Sequence, residues 1–242
     1  MLLTLLLWAS LSTPRARAVR VPPVASAERI LFIGAHPDDE IMASPLLGKV
    51  CVEMGRHCSI LVLTRGEGGG DATVRTGEMS RSAVFLNASL RQWTLPDVMS
   101  NVREAWGPSI VNDIRAVIRE EDPTVVITLD PHHGSTCHPA HRALGAIVSE
   151  AVSGTNARLY FVETAAIFSG SDIFFTPATE PAGEIVNATD SWHWLISVVQ
   201  IHASQFTPGQ VDALTRVPDE QRRVWLLPAA RRESVRDAFV CP

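Results

Sequence analysis

Two short stretches of this chain place imidazoles and carboxylates where they could share a metal ion. The first reads Ala35-His36-Pro37-Asp38-Asp39-Glu40 and the second Thr136-Cys137-His138-Pro139-Ala140-His141. Each has His at a helix-cap position and Pro at the first helical position, where its fixed φ and missing donor cost nothing. His36 with Asp39, and His138 with His141, are three residues apart and so share a face of a first helical turn. Two imidazoles and one carboxylate around a divalent ion leave positions open for water and substrate. The competing reading makes Asp38, Asp39 and Glu40 first-turn acids favoured by the helix dipole and the histidines plain caps. Two helix amino termini aimed at one point disfavour a cation by themselves, but favour a ligand carboxylate and a developing oxyanion. The same ligand types also form the facial triad of non-haem iron enzymes, so Fe2+ chemistry is the alternative to a zinc hydrolase. A catalytically silent binding module is a third reading, disfavoured because a pure binder has no use for a second carboxylate at Asp38.

Short apolar runs alternate with amphipathic stretches, the pattern of βα units and a parallel sheet. Strands are expected at Arg29 to Gly34, Cys58 to Thr64, Gln92 to Leu95, Thr124 to Leu129 and near Arg158 to Val162. Helices are expected over about Ile41 to Met54, Arg75 to Ser89, Pro108 to Glu121, Pro139 to Val152 and Trp192 to His202. Thr176 to Gly183 and Thr207 to Pro218 read as Pro-containing loops. The fold class is α/β: a three-layer Rossmann-like sandwich with a mostly parallel sheet in 3-2-1-4-5 order. Ligands in such sheets bind beyond the carboxyl ends of the strands at the switch in strand order, between the loops after the first and fourth strands. The Gly-rich run Gly66 to Asp71 follows the second strand and ends in Asp where a dinucleotide fingerprint needs Gly, which excludes that reading.

Ala-His-Pro-Asp-Asp-Glu at a strand end resembles the signature of the PIG-L/LmbE-like family of zinc-dependent de-N-acetylases. Thr64-Arg65-Gly66-Glu67-Gly68-Gly69, Arg75-Thr-Gly-Glu78, Leu95-Pro96-Asp97, His138-x-x-His141 and His202-Ala-Ser204-Gln205 are similar to later elements of that family, in the same order. The resemblance implies removal of an N-acetyl group from an amino-sugar conjugate such as an N-acetylglucosaminide, giving acetate and a free amine, and makes the catalytically silent alternative a sugar-binding module. It implies Zn2+ held by His36, Asp39 and His141, Asp38 as the base that deprotonates the metal's water, and His138 facing the oxyanion. Zinc brings bound water to a pKa of about 7, and a carboxylate that is not a ligand can take the proton. Ala140 departs from the family, where Asp is common, and is expected to loosen the support of His141. The only tyrosine, Tyr160, lies far in sequence from His138, so no tyrosine is expected to assist it. Arg75 and Asp97, near the ends of strands two and three, are candidates for binding sugar hydroxyls or an acidic aglycone. Asp130 is the expected hydrogen-bond partner of a ligand histidine, and His202 is expected to line or support the pocket. His132 and His133 read as loop histidines, and the tryptophans at 93, 106, 192 and 194 as packing or rim residues.

Composition sets the outer bounds. The 242 residues, 46% hydrophobic and 19% charged with mean hydropathy +0.12, suit one globular domain and not a polytopic membrane protein. A net charge of −5 with scattered Lys and Arg gives no footprint for nucleic acid. The expected partner is a small amino-sugar conjugate. Residues 1–20, with apolar Leu2 to Trp8 and an A-x-A-like Ala16-Arg17-Ala18, read as a signal peptide for export, or as a short membrane anchor over residues 2–13. A single domain is expected over 27–242. Cys51 and Cys58 pair only if the chain is exported, and otherwise read as small apolar fillers at a helix end and a strand start.

Overall fold

The computed structural model describes residues 23–169, 172–238 and 241. The segment read as a signal peptide or anchor lies outside them. Among the described residues, no helix is long and apolar enough to cross a membrane.

β1 (Arg29–Gly34), β2 (His57–Thr64), β3 (Ser89–Leu95), β4 (Val125–Leu129) and β5 (Arg158–Val162) form the parallel part of a seven-stranded sheet. All five residues of β4 are buried, as are seven of eight in β2. Such unbroken apolar runs arise where helices cover both sheet faces. The observed order is β3-β2-β1-β4-β5-β10-β9. It extends the expected order by two antiparallel strands, β9 (Glu184–Asn187) and β10 (Arg223–Pro228). Between β5 and β9 lie a hairpin of β6 (Thr164–Ser169) and β7 (Asp172–Pro177) and the short β8 (Thr179–Glu180), which pairs with β11 (Arg236–Asp237).

Strand order reverses between β1 and β4, so right-handed crossovers put their helices on opposite faces. α1 (Ser44–Leu47) and α2 (Ala72–Phe85) pack on one side with α6 (Trp192–Ile201), and α7 (Pro208–Thr215) packs on α6. α3 (Val102–Trp106), α4 (Ile110–Glu121) and α5 (Pro139–Val152) pack together on the other. Thr207 to Pro218 is therefore no loop throughout. Thr207 and Gln210 make a reciprocal capping box with Pro208 in the first turn.

The helix expected over Ile41 to Met54 is broken. A 3-10 turn over Asp39–Ala43 leads into α1 and then a π-helical turn over Gly48–Glu53. Pro45, in the first turn of α1, has no N–H to carry a ladder bond back to Ile41, so a new helix starts there. Gly48 sits beneath Trp194, where an added Cβ would fall 2.2 Å from the indole Cγ. Cys51 and Cys58 form a disulfide joining the end of this segment to β2, and Cys137 pairs with Cys241, so none of the four is a free filler.

Candidate metal and active site

The loops after β1 and β4 lie side by side, as the strand order requires, but they are built differently. In the second, His138 caps α5, Pro139 opens the helix, and the His138 Nδ1 accepts the Ala140 N–H at 3.2 Å. In the first, the cap is Asp38 and not His36; its φ is 105°, and its side chain caps nothing. A left-handed non-glycine costs on the order of 1–3 kcal/mol and persists only where its surroundings hold it. Arg75 does so, donating to the Pro37 carbonyl at 2.7 Å, to Asp38 Oδ2 at 3.0 Å and to the Gly66 carbonyl at 2.6 Å. Glu40 adds an acceptor for the Asp38 N–H. The bend turns the Asp38 carboxylate toward Arg75 while Asp39 faces back toward β1.

Asp39 uses Oδ2 to accept the Ala35 and His36 N–H groups at 2.6 and 3.0 Å, leaving Oδ1 for the cavity. The Oδ1 atom lies 3.0 Å from His141 Nε2 and 3.9 Å from His36 Nδ1, and those two nitrogens are 3.0 Å apart. Three ligands in a tetrahedral zinc shell stand about 3.4 Å from one another. The outer nitrogens are already committed: His36 Nε2 to Asp97 Oδ1 at 3.0 Å, and His141 Nδ1 to the Gly134 carbonyl at 2.9 Å and to Thr136 Oγ1 at 3.1 Å. Each ring then commits its outer nitrogen and turns its inner nitrogen to the same point, the orientation metal-bound histidines adopt. The residues fit a divalent ion.

His138 completes a cluster in which the nitrogens of three imidazoles lie within 4.8 Å of one another. Its Nδ1 accepts the Ala140 N–H, so the ring is neutral with its proton on Nε2, where that atom can donate. Burial and the neighbouring His141 and His36 push its pKa down to about 4. The opposite holds at His36: burial disfavours its charge, but Asp39 and Asp97 outweigh that and raise its pKa to about 10. The triangle favours positive charge at its centre. Burial and the adjacent Asp39 raise Asp38 to about 7, with Arg75 pulling it back.

Several expected roles move. Arg75 is buried and spends its guanidinium on Asp38 and two carbonyls, so it positions that carboxylate and is not a free sugar-binding group. Asp97 orients His36 through Oδ1 and accepts the Gly68 N–H through Oδ2, the role expected of Asp130. Asp130 holds the loop instead, accepting the His132 and His133 N–H groups and pairing with Arg232 at 2.9 Å. Ala140 is fully buried, and Thr136 with Gly134 gives His141 the support that an acid at position 140 was expected to supply. His202 is buried and supports the site at one remove: its Nε2 lies 2.7 Å from Glu40 Oε1, and Glu40 Oε2 accepts the Asp38 N–H. Glu40 is the functional residue hidden in plain sight, the third acid of a run whose turn geometry alone gives it no task. His133 is buried away from the ligand triangle, and His132 pairs with Asp237. None of the described tryptophans lines the cavity at the site, whose volume is about 440 Å³.

The fold and site define an α/β sandwich that gathers His36, Asp39, His138 and His141 at its topological switch point. Residues 31–152 match the GlcNAc-PI de-N-acetylase family, PIG-L, and the chain belongs to that family. It is 30% identical over 168 residues, 56% of each chain, to 1D-myo-inositol 2-acetamido-2-deoxy-alpha-D-glucopyranoside deacetylase of Rhodococcus erythropolis. The chain spans about half the length of the curated relatives it matches. Among solved structures, the N,N'-diacetylchitobiose deacetylase of Pyrococcus horikoshii superposes with a TM-score of 0.60 at 21% identity, covering 80% of this chain and 75% of that one. The 4-carboxy-2-hydroxymuconate hydratase of Pseudomonas putida superposes with a TM-score of 0.57 at 17% identity, covering 78% and 83%. At these identities the likeness is one of fold, and a fold shared by a deacetylase and a hydratase does not choose the reaction.

Proposed function

We propose that the chain is a zinc-dependent hydrolase, one domain over 27–242, that removes the N-acetyl group of an amino-sugar conjugate. The observation that carries the reading is the convergence of His36 Nδ1, Asp39 Oδ1 and His141 Nε2, with every outward atom of the three already bonded. Family membership and the Rhodococcus relative support the substrate class. A divalent ion held there supplies a water of pKa about 7 and polarises the amide carbonyl. Asp38 stands beside the triangle without belonging to it and takes the proton when the water's oxygen adds to the carbonyl carbon. His138 Nε2–H is the donor for the oxygen that becomes negative. Asp38 then returns its proton to the departing nitrogen as the C–N bond breaks, giving acetate and a free amine. Arg75 and the His202–Glu40 pair keep Asp38 in its strained place and move no proton.

Two disulfides support export, because such pairs persist in oxidising compartments. The test is acetate release from a panel of N-acetylglucosaminides, inositol-linked and oligomeric ones included, by protein of measured metal content. Stoichiometric acetate and amine that vanish on chelation and return with Zn2+ are expected; oxygen consumption by an Fe2+-loaded sample without acetate release would overturn the assignment.

A further inference from the structure

His141 takes its orientation from the loop that joins β4 to α5. Its Nδ1 lies 2.9 Å from the Gly134 carbonyl, a group that can only accept, so that nitrogen carries a proton and Nε2 is the atom turned to Asp39. Gly134 also packs beneath the same residue, where an added Cβ would fall 2.6 Å from the His141 Cβ. A shift of this loop therefore reaches His141 directly. The loop is strained at two places, because Ser135 and Cys137 both have φ of 62°. Left-handed non-glycine residues persist only where their surroundings hold them.

Part of that hold comes from the other end of the chain. At the start of the loop, the buried Asp130 pairs through Oδ2 with Nε of the buried Arg232 at 2.9 Å. Two residues on, His132 Nδ1 lies 3.2 Å from Asp237 Oδ2, while Asp237 Oδ1 accepts from Arg232. At the end of the loop, next to His138, Cys137 is bonded to Cys241 across 104 residues. The stretch that supplies these ties is itself anchored: β11 pairs with β8, and the Ala238 N–H donates to the Ala178 carbonyl at 2.8 Å. Arg232, Asp237 and Cys241 all lie outside residues 31–152, the segment that carries His36, Asp39 and His141. Without their ties the loop is free to relax its two left-handed residues and to carry the Gly134 carbonyl away from His141.

Resting on the metal assignment of the hydrolase reading, we infer that Arg232, Asp237 and the Cys137–Cys241 disulfide are positioning residues for the metal centre, a latch that holds the 130–137 loop from outside and keeps His141 Nε2 aimed at the ion. None of them touches the ion or the substrate in this role. Cys51–Cys58, at the start of β2 and so at the opposite end of the strands, is the natural control.

The test is made on the full chain and its variants, with circular dichroism to establish that each is folded. Zinc affinity by chelator competition should fall about 10-fold in Cys137→Ser with Cys241→Ser and in Arg232→Met, the low end of what loss of a ligand's supporting partners costs. The visible absorption of bound Co2+ should shift in both, as the ligand field changes with the angle of His141. Arg232→Lys, which keeps a charge beside Asp130, should recover most of the affinity. Cys51→Ser with Cys58→Ser should leave affinity and spectrum as they are. Unchanged affinity in both latch variants overturns the inference, as does an equal loss in the Cys51 and Cys58 control. If Arg232→Met does not fold, the disulfide pair decides. If the unmodified chain binds neither ion, the metal assignment fails by itself. Exchange of the His141 Nδ1 proton in the metal-free chain, followed by NMR with nitrogen-labelled histidine, still decides this inference: the latch variants should speed it severalfold, and an equal rate overturns the latch.

Discussion

The Nε2 of His36 sits 3.0 Å from Oδ1 of Asp97, and that single contact sets which face of the imidazole looks into the site. With its outer nitrogen bonded to a carboxylate, the ring has only Nδ1 left to face His141 and Asp39. Asp97 is itself fixed by the Gly68 N–H, and its pKa is lowered chiefly by the His36 bond. Replacing Asp97 by Asn keeps the shape and removes the charge. Zinc affinity, measured by competition with a chromogenic chelator, should fall about 10- to 100-fold. Unchanged affinity would show that Asp97 has no part in orienting the ligand.

The two adjacent aspartates should separate by metal content. Asp38→Ala should retain one zinc per chain and lose roughly 10²- to 10⁴-fold in kcat, the usual worth of a positioned general base. Asp39→Ala should come off the column without the ion. Atomic absorption on both proteins, alongside turnover of the holo Asp38 variant, checks the pair; the reverse pattern would sink the proposed roles.

His138 and His141 both belong to the three-imidazole cluster, yet only one should hold metal. His141→Ala should lose zinc and activity together. His138→Ala should keep zinc, lose about 10²- to 10³-fold in kcat with the oxyanion donor, and lose about 1 kcal/mol of stability with the cap of α5. Loss of metal from the His138 variant would make it a ligand.

The disulfides should differ in weight. Cys137–Cys241 closes a separation of 104 residues and Cys51–Cys58 one of only 7, and cross-linking a longer loop removes more unfolded-state entropy. The chain-entropy model gives about 4.7 kcal/mol for a loop of about 100 residues and about 2.5 for the short one. Cys241→Ser with Cys137→Ser should therefore lower the denaturation midpoint more than Cys51→Ser with Cys58→Ser. Equal shifts would argue that strain or local structure outweighs loop length.

Glu163 is fully buried, accepts from the Thr179 and Gly183 N–H groups and from the Thr179 hydroxyl, and has its pKa raised chiefly by burial. The folded chain thus binds this proton more tightly than the unfolded one. Its stabilising contribution is complete below the unfolded carboxyl range and is lost as pH rises through the folded value. Glu163→Gln cannot titrate, so whatever its fixed offset, its Tm relative to the unmodified chain should improve between pH 4 and pH 7. A constant difference across that range would contradict the shift.

The sequence by itself determined what local rules govern. Unbroken apolar strands such as Val125 to Leu129 announced a sheet covered on both faces, and the His-Pro pairs at 36–37 and 138–139 marked two strand-end loops at the switch in strand order. The spacings His36 to Asp39 and His138 to His141 placed the right residue types near one another, because one turn of chain fixes their relative reach. Which atoms meet was decided only by the tertiary structure. Asp97 meets His36 across 61 residues because β3 and β1 both end at the same sheet edge, and Asp130, though nearer His141 in sequence, turns away to Arg232. The bend at Asp38 is set by Arg75, 37 residues away, and not by any preference of its own. The apolar wall of the cavity, with Phe175, Leu195 and Leu214, comes from a hairpin and two helices beyond β5, where the period is short and the apolar residues read equally as core. Turn geometry and strand pattern act over a few residues, whereas hydrogen-bond partners and cavity walls are assigned by packing between segments far apart in the chain, after the sheet order has brought them together.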